Sequence, residues 1–480
     1  MVSQHVYYQL LLFALLWLVV IVHLTRPKCL VTAPAMPTEE PEPLTPKRHR
    51  SNAPQPFEGL THKPHCALCE RDTASPPAPP PIPPDTMTPT HRRPRAIDTS
   101  VHFCPHAGCD YRGWLGRGNL RAHGHPRGGP WRQFPCTSCK GSFLETHGTL
   151  CHGKQAAVEL IVRVLACLAA GWGSRATARV FAVAPNTVLQ WLVEAAEQLR
   201  AFSAYGLCAL HLEQLQLDEL YAVLREFKAG EISDAEALTR LEHSPSWVWT
   251  AMDPQSKLLV VVDMGCRTLA LAQRVVHQVT RVLAPGCVPL FLTDGLKDYA
   301  TALLTHFGSW RQPERRQATG PRPRPRWMPL PELLYAQVVK SYRRRRLVGG
   351  TPRVVFGSRL AIEQMLARCG WTINPSFVER LTLDIRQRVA AIGRRVNTLC
   401  QGEAGLQQPL VLFQVYHNFV LPHASLRQAL AEPLPTNGRG SAKGWRPCTP
   451  AMAAGLTDHV WSLREVLLFR VPPWPQAQTV

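Results

Sequence analysis

Short runs of alternating apolar and polar residues separate longer helical patterns between residues 212 and 425. In "QLQLDELYAV", Leu215 and Leu217 fall on one face of a predicted strand and Asp218 falls on the other. The stretch "SWVWTAMDPQSKLLVVVDMG" predicts two strands joined by a turn, and "VPLFLTDG" predicts a strand that ends at Asp294. Because "RTLALAQRVVHQVTRVL" has helical periodicity, the region is predicted to be α/β with a mixed sheet.

A further helix is predicted over residues 374–389, "NPSFVERLTLDIRQRV". Its apolar residues recur every three or four positions and mark a buried stripe: Phe377, Leu381, Ile385, Val389, Ile392 and Val396. Glu379 lies on the other side of the helix, where it shares a face with Arg386. Two interpretations are open: Glu379 is an ion-pair partner of Arg386, or it is a metal ligand whose partners lie elsewhere in the chain.

A helical module is predicted over residues 154–205. Its segment "SRATARVFAVAPNTVLQWL" is typical of a helix-turn-helix, with a turn at Pro185 and Asn186 as the cap of the second helix. That helix would enter the major groove of DNA. The residues predicted to contact DNA lie on both helices: Arg175, Arg179, Asn186, Thr187 and Gln190. The alternative is a three-helix packing unit without groove contact.

Residues 101–153 form a segment rich in Cys and His. "FCPHAGC" and "PCTSC" supply four candidate zinc ligands: Cys104, Cys109, Cys136 and Cys139. Two thiolate pairs on tight turns suit a tetrahedral structural Zn²⁺. A segment this rich in Gly needs a bound metal ion or another cross-link to fold. We therefore predict a zinc ribbon, the alternative being unrelated free thiols. A looser pair, Cys66 and Cys69, lies among prolines, and we expect no second closed site there.

The N-terminal residues predict a different environment. Residues 6–24 contain no Asp, Glu, Lys or Arg and are long enough to span a bilayer as a helix. Arg26 and Lys28 follow, so the positive-inside rule would place the rest of the chain in the cytoplasm. The alternatives are an over-extended start codon and a hydrophobic helix that never inserts. Residues 29–100, with "PPAPPPIPP", show no apolar periodicity, which predicts a disordered linker.

The net charge of the chain indicates the class of its binding partner. The chain has 480 residues, with 54 Lys and Arg against 34 Asp and Glu, a formal net charge of +20. Such a surplus favours a polyanionic partner, most simply nucleic acid, because phosphate binding releases counterions. The runs "RQPERRQATGPRPRPRW" and "KSYRRRR" are predicted to be phosphate-contacting insertions rather than core. An odd count of 15 cysteines favours reduced thiols over a disulfide framework.

Three carboxylates have the order expected of a ribonuclease H-like fold. Asp218 lies on a strand, Asp294 ends a later strand and Glu379 lies on a following helix. Carboxylate oxygens are hard ligands, and three that converge can hold Mg²⁺ or Mn²⁺ ions for in-line phosphoryl transfer. Arg380 and Arg386 are predicted to orient the scissile phosphate. Any one acid alone is more often a cap or an ion-pair partner, but the ordered set favours catalysis.

Several segments carry a resemblance to a known family: "LQLDEL", "WVWTAMD", "PLFLTDG", "NPSFVERLTLDIRQ", "GRRVNTLC" and "YHNFVLPHASLRQ". Over residues 101–460 the chain resembles bacterial insertion-sequence transposases of the DDE type, particularly the insertion-sequence-one-like group. The resemblance implies that Asp218, Asp294 and Glu379 are the catalytic acids. It also implies a homo-oligomer on DNA, bound to terminal inverted repeats and target DNA. Thr382 departs from the Asn usual at this position, and it offers a phosphate or a bound water only one hydroxyl.

The sequence thus predicts a multidomain α/β chain of six parts: a hydrophobic, potentially transmembrane helix (1–28), a linker (29–100), a zinc ribbon (101–153), a helix-turn-helix (154–205), a ribonuclease H-like catalytic domain (206–425) and a tail of loop around one helix (426–480). The predicted function is DNA transposition in the cytoplasm, by metal-dependent cleavage and strand transfer at insertion-sequence ends. Two alternatives are a catalytically decayed or domesticated copy that only binds DNA, and a membrane-tethered regulator.

Overall fold

The structure is a computed structural model, and it describes residues 97–222, 246–315, 322–343, 346–393, 402–434 and 442–473, without the side chains of 342–347 and 393. Four predicted features lie outside these residues: the apolar run 6–24, the linker up to residue 96, the pair Cys66 and Cys69, and Val396 of the helical stripe. None of the helices within the described ranges has both the length and the hydropathy to cross a membrane.

The Cys/His-rich module is built on two short antiparallel strands, β1 (Gln133–Pro135) and β2 (Ser142–Leu144). Phe134 and Phe143 are opposite one another in the register, with ring centroids 5.9 Å apart. They pack with Leu120 and the candidate zinc-binding cysteines in a small separate core. So small an apolar core predicts that a bound metal stabilises the module.

Three helices follow: α1 (Val158–Ala169), α2 (Ser174–Val180) and α3 (Pro185–Gly206). They agree with the predicted helical module, but the predicted cap is wrong. The N-cap of α3 is Ala184, and Pro185 occupies the first helical position, so Asn186 lies within the first turn. Proline suits that position because its missing N–H has no acceptor in the helix.

The central part of the described chain alternates strands and helices. In order these are β3 (Gln214–Ala222), β4 (Ser246–Met252), β5 (Leu259–Gly265), α4 (Leu269–Val282), β6 (Leu290–Asp294), α5 (Asp298–His306), β7 (Gly308–Arg311), β8 (Arg326–Pro329), β9 (Tyr335–Arg343) and β10 (Arg346–Phe356). Six strands form one mixed sheet in the order β10–β9–β6–β3–β4–β5. β6 is parallel to both β3 and β9, and the other pairs are antiparallel. The α/β prediction with a mixed sheet is confirmed.

The two basic runs have different structures. β7 and β8 pair only with each other among the described strands, so the two ends of the arm "RQPERRQATGPRPRPRW" lie in a hairpin apart from the main sheet. The run "KSYRRRR" begins within β9, a strand of the main sheet, beyond Val338, the last residue of β9 that pairs with β6. β9 starts at the buried Tyr335 and Ala336, so the sheet holds the first residue of that run, Lys340, in place.

Four helices follow the sheet: α6 (Arg359–Ala367), α7 (Ser376–Arg388), α8 (Ala390–Gly393) and α9 (Gly402–Val415). Alternate residues of β3 pack on opposite layers. Leu215 and Leu217 join the core that contains α3, α4 and α5, whereas Leu220 and Ala222 join α7 and α9. This alternation places the even-numbered positions of β3, including Asp218, on the α7 side.

The C-terminal residues form β11 (Gln428–Leu434), β12 (Lys443–Arg446), α10 (Pro450–Ala453) and α11 (Leu463–Leu468). The predicted loop around one helix is therefore wrong. Gln198 of α3 holds the end of this segment, because its side-chain amide donates to the carbonyls of Leu467 and Phe469 at 2.7 and 3.1 Å. The side-chain oxygen of Gln198 accepts from the N–H of Leu150, so the Cys/His-rich module, α3 and the C-terminal segment are joined at one residue.

Candidate functional site

Four cysteine side chains from distant parts of the Cys/His-rich module meet in its core. The sulfurs of Cys104 and Cys139 are 3.7 Å apart. Those of Cys109 and Cys136 are 3.8 Å apart, and all four sulfurs lie within 4.8 Å of one another. With Zn–S distances of about 2.3 Å, tetrahedral geometry places ligand sulfurs about 3.8 Å apart. The cluster can therefore hold a structural zinc ion, as the sequence predicted.

The polar surroundings of the cluster favour the thiolate form of one cysteine, Cys136. Burial raises the pKa of a thiol, but at Cys136 the N–H groups of Cys139 and Ser138 and the side chain of Asn119 outweigh burial, and its pKa falls to about 7. The Asn119 amide donates to the Cys136 sulfur at 3.3 Å. Burial holds the pKa of Cys104 above its usual range. A cation at the centre of the four sulfurs would stabilise its charged form.

Arg470, near the C-terminal end of the described residues, closes the other side of this module. Its guanidinium lies 4.3 Å from the ring centroid of Phe103 and 4.7 Å from that of Phe143, and it donates to the carbonyl of Phe103. Arg470 is 5% exposed, and burial lowers its pKa to about 10. The sequence gave no indication of this contact, because Arg470 and Phe103 lie at opposite ends of the described chain.

The predicted DNA-contacting residues of the helical module lie at the surface. Thr187 is half-buried, and the other four are exposed: Arg175, Arg179, Asn186 and Gln190. Arg175 and Arg179 lie one turn apart on α2, and the other three lie in the first two turns of α3. Gln190 donates to Glu194 at 2.9 Å. The start of α3 is thus open to a ligand, as groove binding requires.

Asp218 and Asp294 lie side by side at the carboxyl end of β6. β3 and β6 run parallel with Leu217 opposite Thr293, so the next residue of each strand points to the same side of the sheet. That side is the one covered by α7. The two aspartates predicted from separate strands are therefore brought together by the register.

Gln216 positions the third acid over them. Its side-chain oxygen accepts the N–H groups of Phe377 and Val378, both at 3.1 Å, and its amide donates to the carbonyl of Asn374. Gln216 is buried on the same face of β3 as Asp218. It therefore fixes the first turn of α7, which contains Glu379, against the strand that carries Asp218.

The three acids influence one another electrostatically. Burial, followed by the charge of Asp294, raises the pKa of Asp218 to about 6, and Glu379 contributes in the same direction. The side chains of Asp294 and Glu379 are 24% and 41% exposed, so a solute can reach both. Repulsion among partly exposed carboxylates favours binding of a cation at this face.

Lys340 of β9 is a cation that contacts this face. Val338 is opposite Asp294, and Lys340, two residues further, points to the same side of the sheet. Its ammonium nitrogen lies 2.5 Å from a carboxylate oxygen of Glu379. Burial alone would lower the pKa of Lys340, but the hydrogen bond to Glu379 and the charge of that acid raise it. The ion-pair partner of Glu379 is thus Lys340 rather than Arg386.

The oxygen ligands of Asp218, Asp294 and Glu379, and their position on one face of the sheet, suit a hard divalent cation. Within the described part of the chain, only the cysteine cluster has three or more candidate ligand atoms within 4.8 Å of one another. Asp218, Asp294 and Glu379 thus share one open face without forming a closed cage. Mg²⁺ requires oxygens about 2.1 Å from the ion, so its binding would need side-chain rotation and release of Glu379 by Lys340.

A fourth acid near this site, Glu219, was missed by the sequence analysis. Glu219 follows Asp218 on β3 but points to the other face, and its side chain is 1% exposed. Arg267 donates to it through two nitrogens, at 2.8 and 3.1 Å, and also lies 3.7 Å from Asp294. Burial, followed by the charge of Asp294, raises the pKa of Glu219 to about 7. The adjacent acids in "LDEL" were the only signal for this network.

The residues flanking Glu379 have separate positions. Thr382 is buried, and its hydroxyl donates to the backbone carbonyl of Glu379 at 2.7 Å, so this hydroxyl supports the helix instead of facing the acids. Arg380 and Arg386 are exposed. Their exposure leaves both guanidinium groups accessible to a ligand. The structure places neither of them against Glu379.

The chain matches no protein-family model and no curated protein. Its function is therefore inferred from the geometry of its own residues. The two informative sites are the four-cysteine cluster and the carboxylate face formed by β3, β6 and α7.

Proposed function

We propose that this chain is a DDE-type DNA transposase, similar to the insertion-sequence-one-like group, that cuts the ends of its element and joins them to target DNA. The observation that carries the proposal is the placement of Asp218, Asp294 and Glu379. Residues from two parallel strands and a later helix share one face of the sheet, and two of them are partly open to solvent. In-line phosphoryl transfer at DNA requires such a set of metal-binding acids.

The architecture supports the same function. The sheet has three antiparallel strands, β3, β4 and β5, followed along the chain by the parallel strands β6 and β9, and α7 lies against it. This is the order of elements expected of a ribonuclease H-like domain. A zinc ribbon and a helix-turn-helix would lie N-terminal to it, where DNA-end recognition is expected. The excess of basic residues suits a polyanionic partner.

The acids Asp218, Asp294 and Glu379 would hold Mg²⁺ or Mn²⁺. When bound, these ions would activate the attacking hydroxyl and stabilise the leaving oxygen. The chain's own cations would bind the phosphate: Arg267 is 3.7 Å from Asp294 and partly exposed, and Arg380, which follows Glu379 in sequence, is exposed. Lys340, once released from Glu379, would have the length and charge to contact a non-bridging phosphate oxygen.

Two observations favour the second candidate, a decayed or domesticated copy that binds DNA without cutting it. Lys340 pairs with Glu379, and Thr382 turns its only hydroxyl to the backbone. If that ion pair persists on DNA, Glu379 is not available as a ligand. The two candidates share the DNA-binding module and differ only at the carboxylate face.

A cleavage assay separates them. The full chain is incubated with a duplex that carries the DNA flanking its own gene, with Mg²⁺, with Mn²⁺, or with a chelator. The transposase is expected to leave 3′-hydroxyl ends at a fixed position, and only when a metal ion is present. If the chain binds this duplex but does not cleave it with either metal ion, the transposase proposal is overturned and the second candidate, a copy that only binds DNA, is supported.

Lys340 gives a prediction that does not depend on DNA. Lys340→Met is expected to bind Mn²⁺ about five- to tenfold more tightly than the parent chain, because the ion no longer competes with an ion pair worth roughly 1 kcal/mol. The measurement is Mn²⁺ titration of the zinc-loaded protein by electron paramagnetic resonance. Lys297→Met, which removes an exposed lysine three residues after Asp294, should leave the affinity unchanged. Equal affinities for all three chains would show that Lys340 does not occupy the metal site.

A further inference from the structure

The hairpin of β7 and β8 exposes two tryptophans that face each other across the strands. Trp310 is opposite Trp327, with ring centroids 6.2 Å apart and planes at 74°. They are 62% and 43% exposed. An edge-to-face pair leaves ring faces free, and in this hairpin they are in contact with water. Large aromatic surfaces exposed together mark a binding site more often than a lone exposed residue does.

The charges beside the tryptophans identify the class of ligand. Arg311 is opposite Arg326, and like charges in directly opposed positions destabilise a strand pair. The described part of the hairpin and its flanks, 308–315 and 322–329, contains one acid, Glu314, and five arginines: Arg311, Arg315, Arg322, Arg324 and Arg326. Among the described residues, no carboxylate forms an ion pair with Arg311 or Arg326. The arginines therefore lack a counter-charge that the described protein supplies.

A purely structural role accounts for the tryptophan pair but not for the pair of opposed arginines next to it in sequence. A cross-strand aromatic pair stabilises a hairpin, and it would offset the repulsion between the arginines. It gives no reason for placing arginines opposite each other next to the most exposed aromatic pair. A ligand with flat apolar rings and regularly spaced anions accounts for both features, and single-stranded nucleic acid has both.

We propose that the β7–β8 hairpin binds single-stranded DNA, with an unpaired base stacked on Trp310. Side chains alternate along a strand, so Arg311 and Arg326 leave the face opposite the tryptophans and would hold phosphates where the DNA strand passes round the edge of the hairpin. Duplex DNA is a poorer ligand, because its bases are stacked on each other and present no face to a protein ring. The inference goes beyond the proposed transposase: it needs neither the metal nor the carboxylate face, and it can hold if cleavage is never observed.

The position of the hairpin separates it from the carboxylate face. The N–H of Leu330, just after β8, donates to the carbonyl of Phe307 at the end of α5, and the chain then enters β9 beside Phe291. Asp294 lies three residues further along β6, about 10 Å at the usual rise of a strand. The bound strand would thus be a segment of DNA outside the cleavage position, such as an unpaired flank beside an element end.

The test measures binding of the full chain to fluorescent oligo-deoxythymidine and to a duplex of equal length by anisotropy. Trp310→Ala and Trp310→Leu are expected to weaken single-strand binding about tenfold, and Trp310→Phe to restore most of it, because stacking needs a π face. Duplex affinity should change less than twofold. Arg311→Gln with Arg326→Gln should reduce the slope of log affinity against log salt by about 1.4, since each phosphate contact on single strands contributes about 0.7.

Trp445 provides a matched control. It is 51% exposed on another hairpin, but Arg427 covers its ring at 4.5 Å, so Trp445→Ala should leave single-strand affinity unchanged. If Trp310→Leu binds as tightly as Trp310→Phe, the ring only holds the hairpin together and the proposal is overturned. Unchanged binding by Trp310→Ala, or equal losses for single strands and duplex, would overturn it as well.

Discussion

Glu379→Gln is expected to lower strand cleavage by several orders of magnitude while leaving binding to element ends nearly unchanged. The substitution keeps the size of the side chain and removes the charge that would hold a divalent cation. Loss of the cation removes activation of the nucleophile and stabilisation of the leaving oxygen together, which is why the expected effect is large. End binding is assigned to the helical and Cys/His-rich modules, which do not include Glu379. Single-turnover cleavage and gel-shift binding on the same duplex measure the two effects.

A matched control and the other acids sharpen this result. Glu363→Gln removes an exposed glutamate of α6 that pairs with Arg359 one turn away, and it should change neither activity. Asp218→Asn and Asp294→Asn should reproduce the loss, with double variants no worse than single ones, because the acids act as a unit. If Glu379 served only as the partner of Lys340, its removal would cost about 1 kcal/mol of stability or less and leave cleavage intact. Near-normal cleavage by folded Glu379→Gln would thus refute the catalytic assignment.

The strands of the main sheet could be predicted because their patterns are local. "QLQLDELYAV" alternates over its length, and "LLVVVDMG" and "PLFLTDG" are short apolar runs bounded by turn residues. Such patterns fix which face of a strand is buried, and therefore that Asp218 is on the opposite face from Leu217. The proximity of Asp218 and Asp294 depends on the register between strands that are far apart in sequence. The order of the three acids along the chain predicted this proximity only because the same order is expected of a ribonuclease H-like fold.

The contacts that could not be predicted are between residues distant in sequence. Neither Lys340 with Glu379 nor Arg470 with Phe103 leaves a periodic or spaced pattern. The stripe of α7 shows a smaller deviation of the same kind. Val378 is fully buried while Phe377 is only partly buried, because Gln216 binds both of their N–H groups and Lys257 lies over the Phe377 ring at 3.7 Å. Tertiary partners thus set the rotation of the helix.

The cysteine cluster was the most predictable part of the site. A tetrahedral zinc site needs two short chelating turns, and "CPHAGC" and "PCTSC" each give one, so the ligand set follows from spacing alone. The buried arginine that covers the module has no such spacing rule. Candidate metal ligands can thus be identified from the sequence alone. The residues that join the module to the rest of the protein can be identified only once the fold is known.

Cys136→Ser is expected to abolish stoichiometric zinc and unfold the Cys/His-rich module. The parent chain should contain about one zinc ion, as four sulfurs at these distances require. Apart from the cysteines, the separate core of this module has few buried apolar side chains, chiefly Leu120, Phe134 and Phe143. A structural zinc ion contributes about 10 kcal/mol or more to the folding of such small modules. Metal analysis and amide hydrogen exchange over 101–153 would measure both effects.

The rest of the protein should respond differently. Cys167→Ser, which changes a half-buried cysteine of α1 outside the cluster, should retain zinc and full exchange protection. In Cys136→Ser, the amides of β3 and β6 should stay protected, because their core lies in the separate sheet and its helices. Binding to element ends should weaken while Mn²⁺ binding at the carboxylate face persists. Freshly purified, reduced parent protein without zinc would contradict the assignment, because the four clustered sulfurs would then lack the cation that stabilises them.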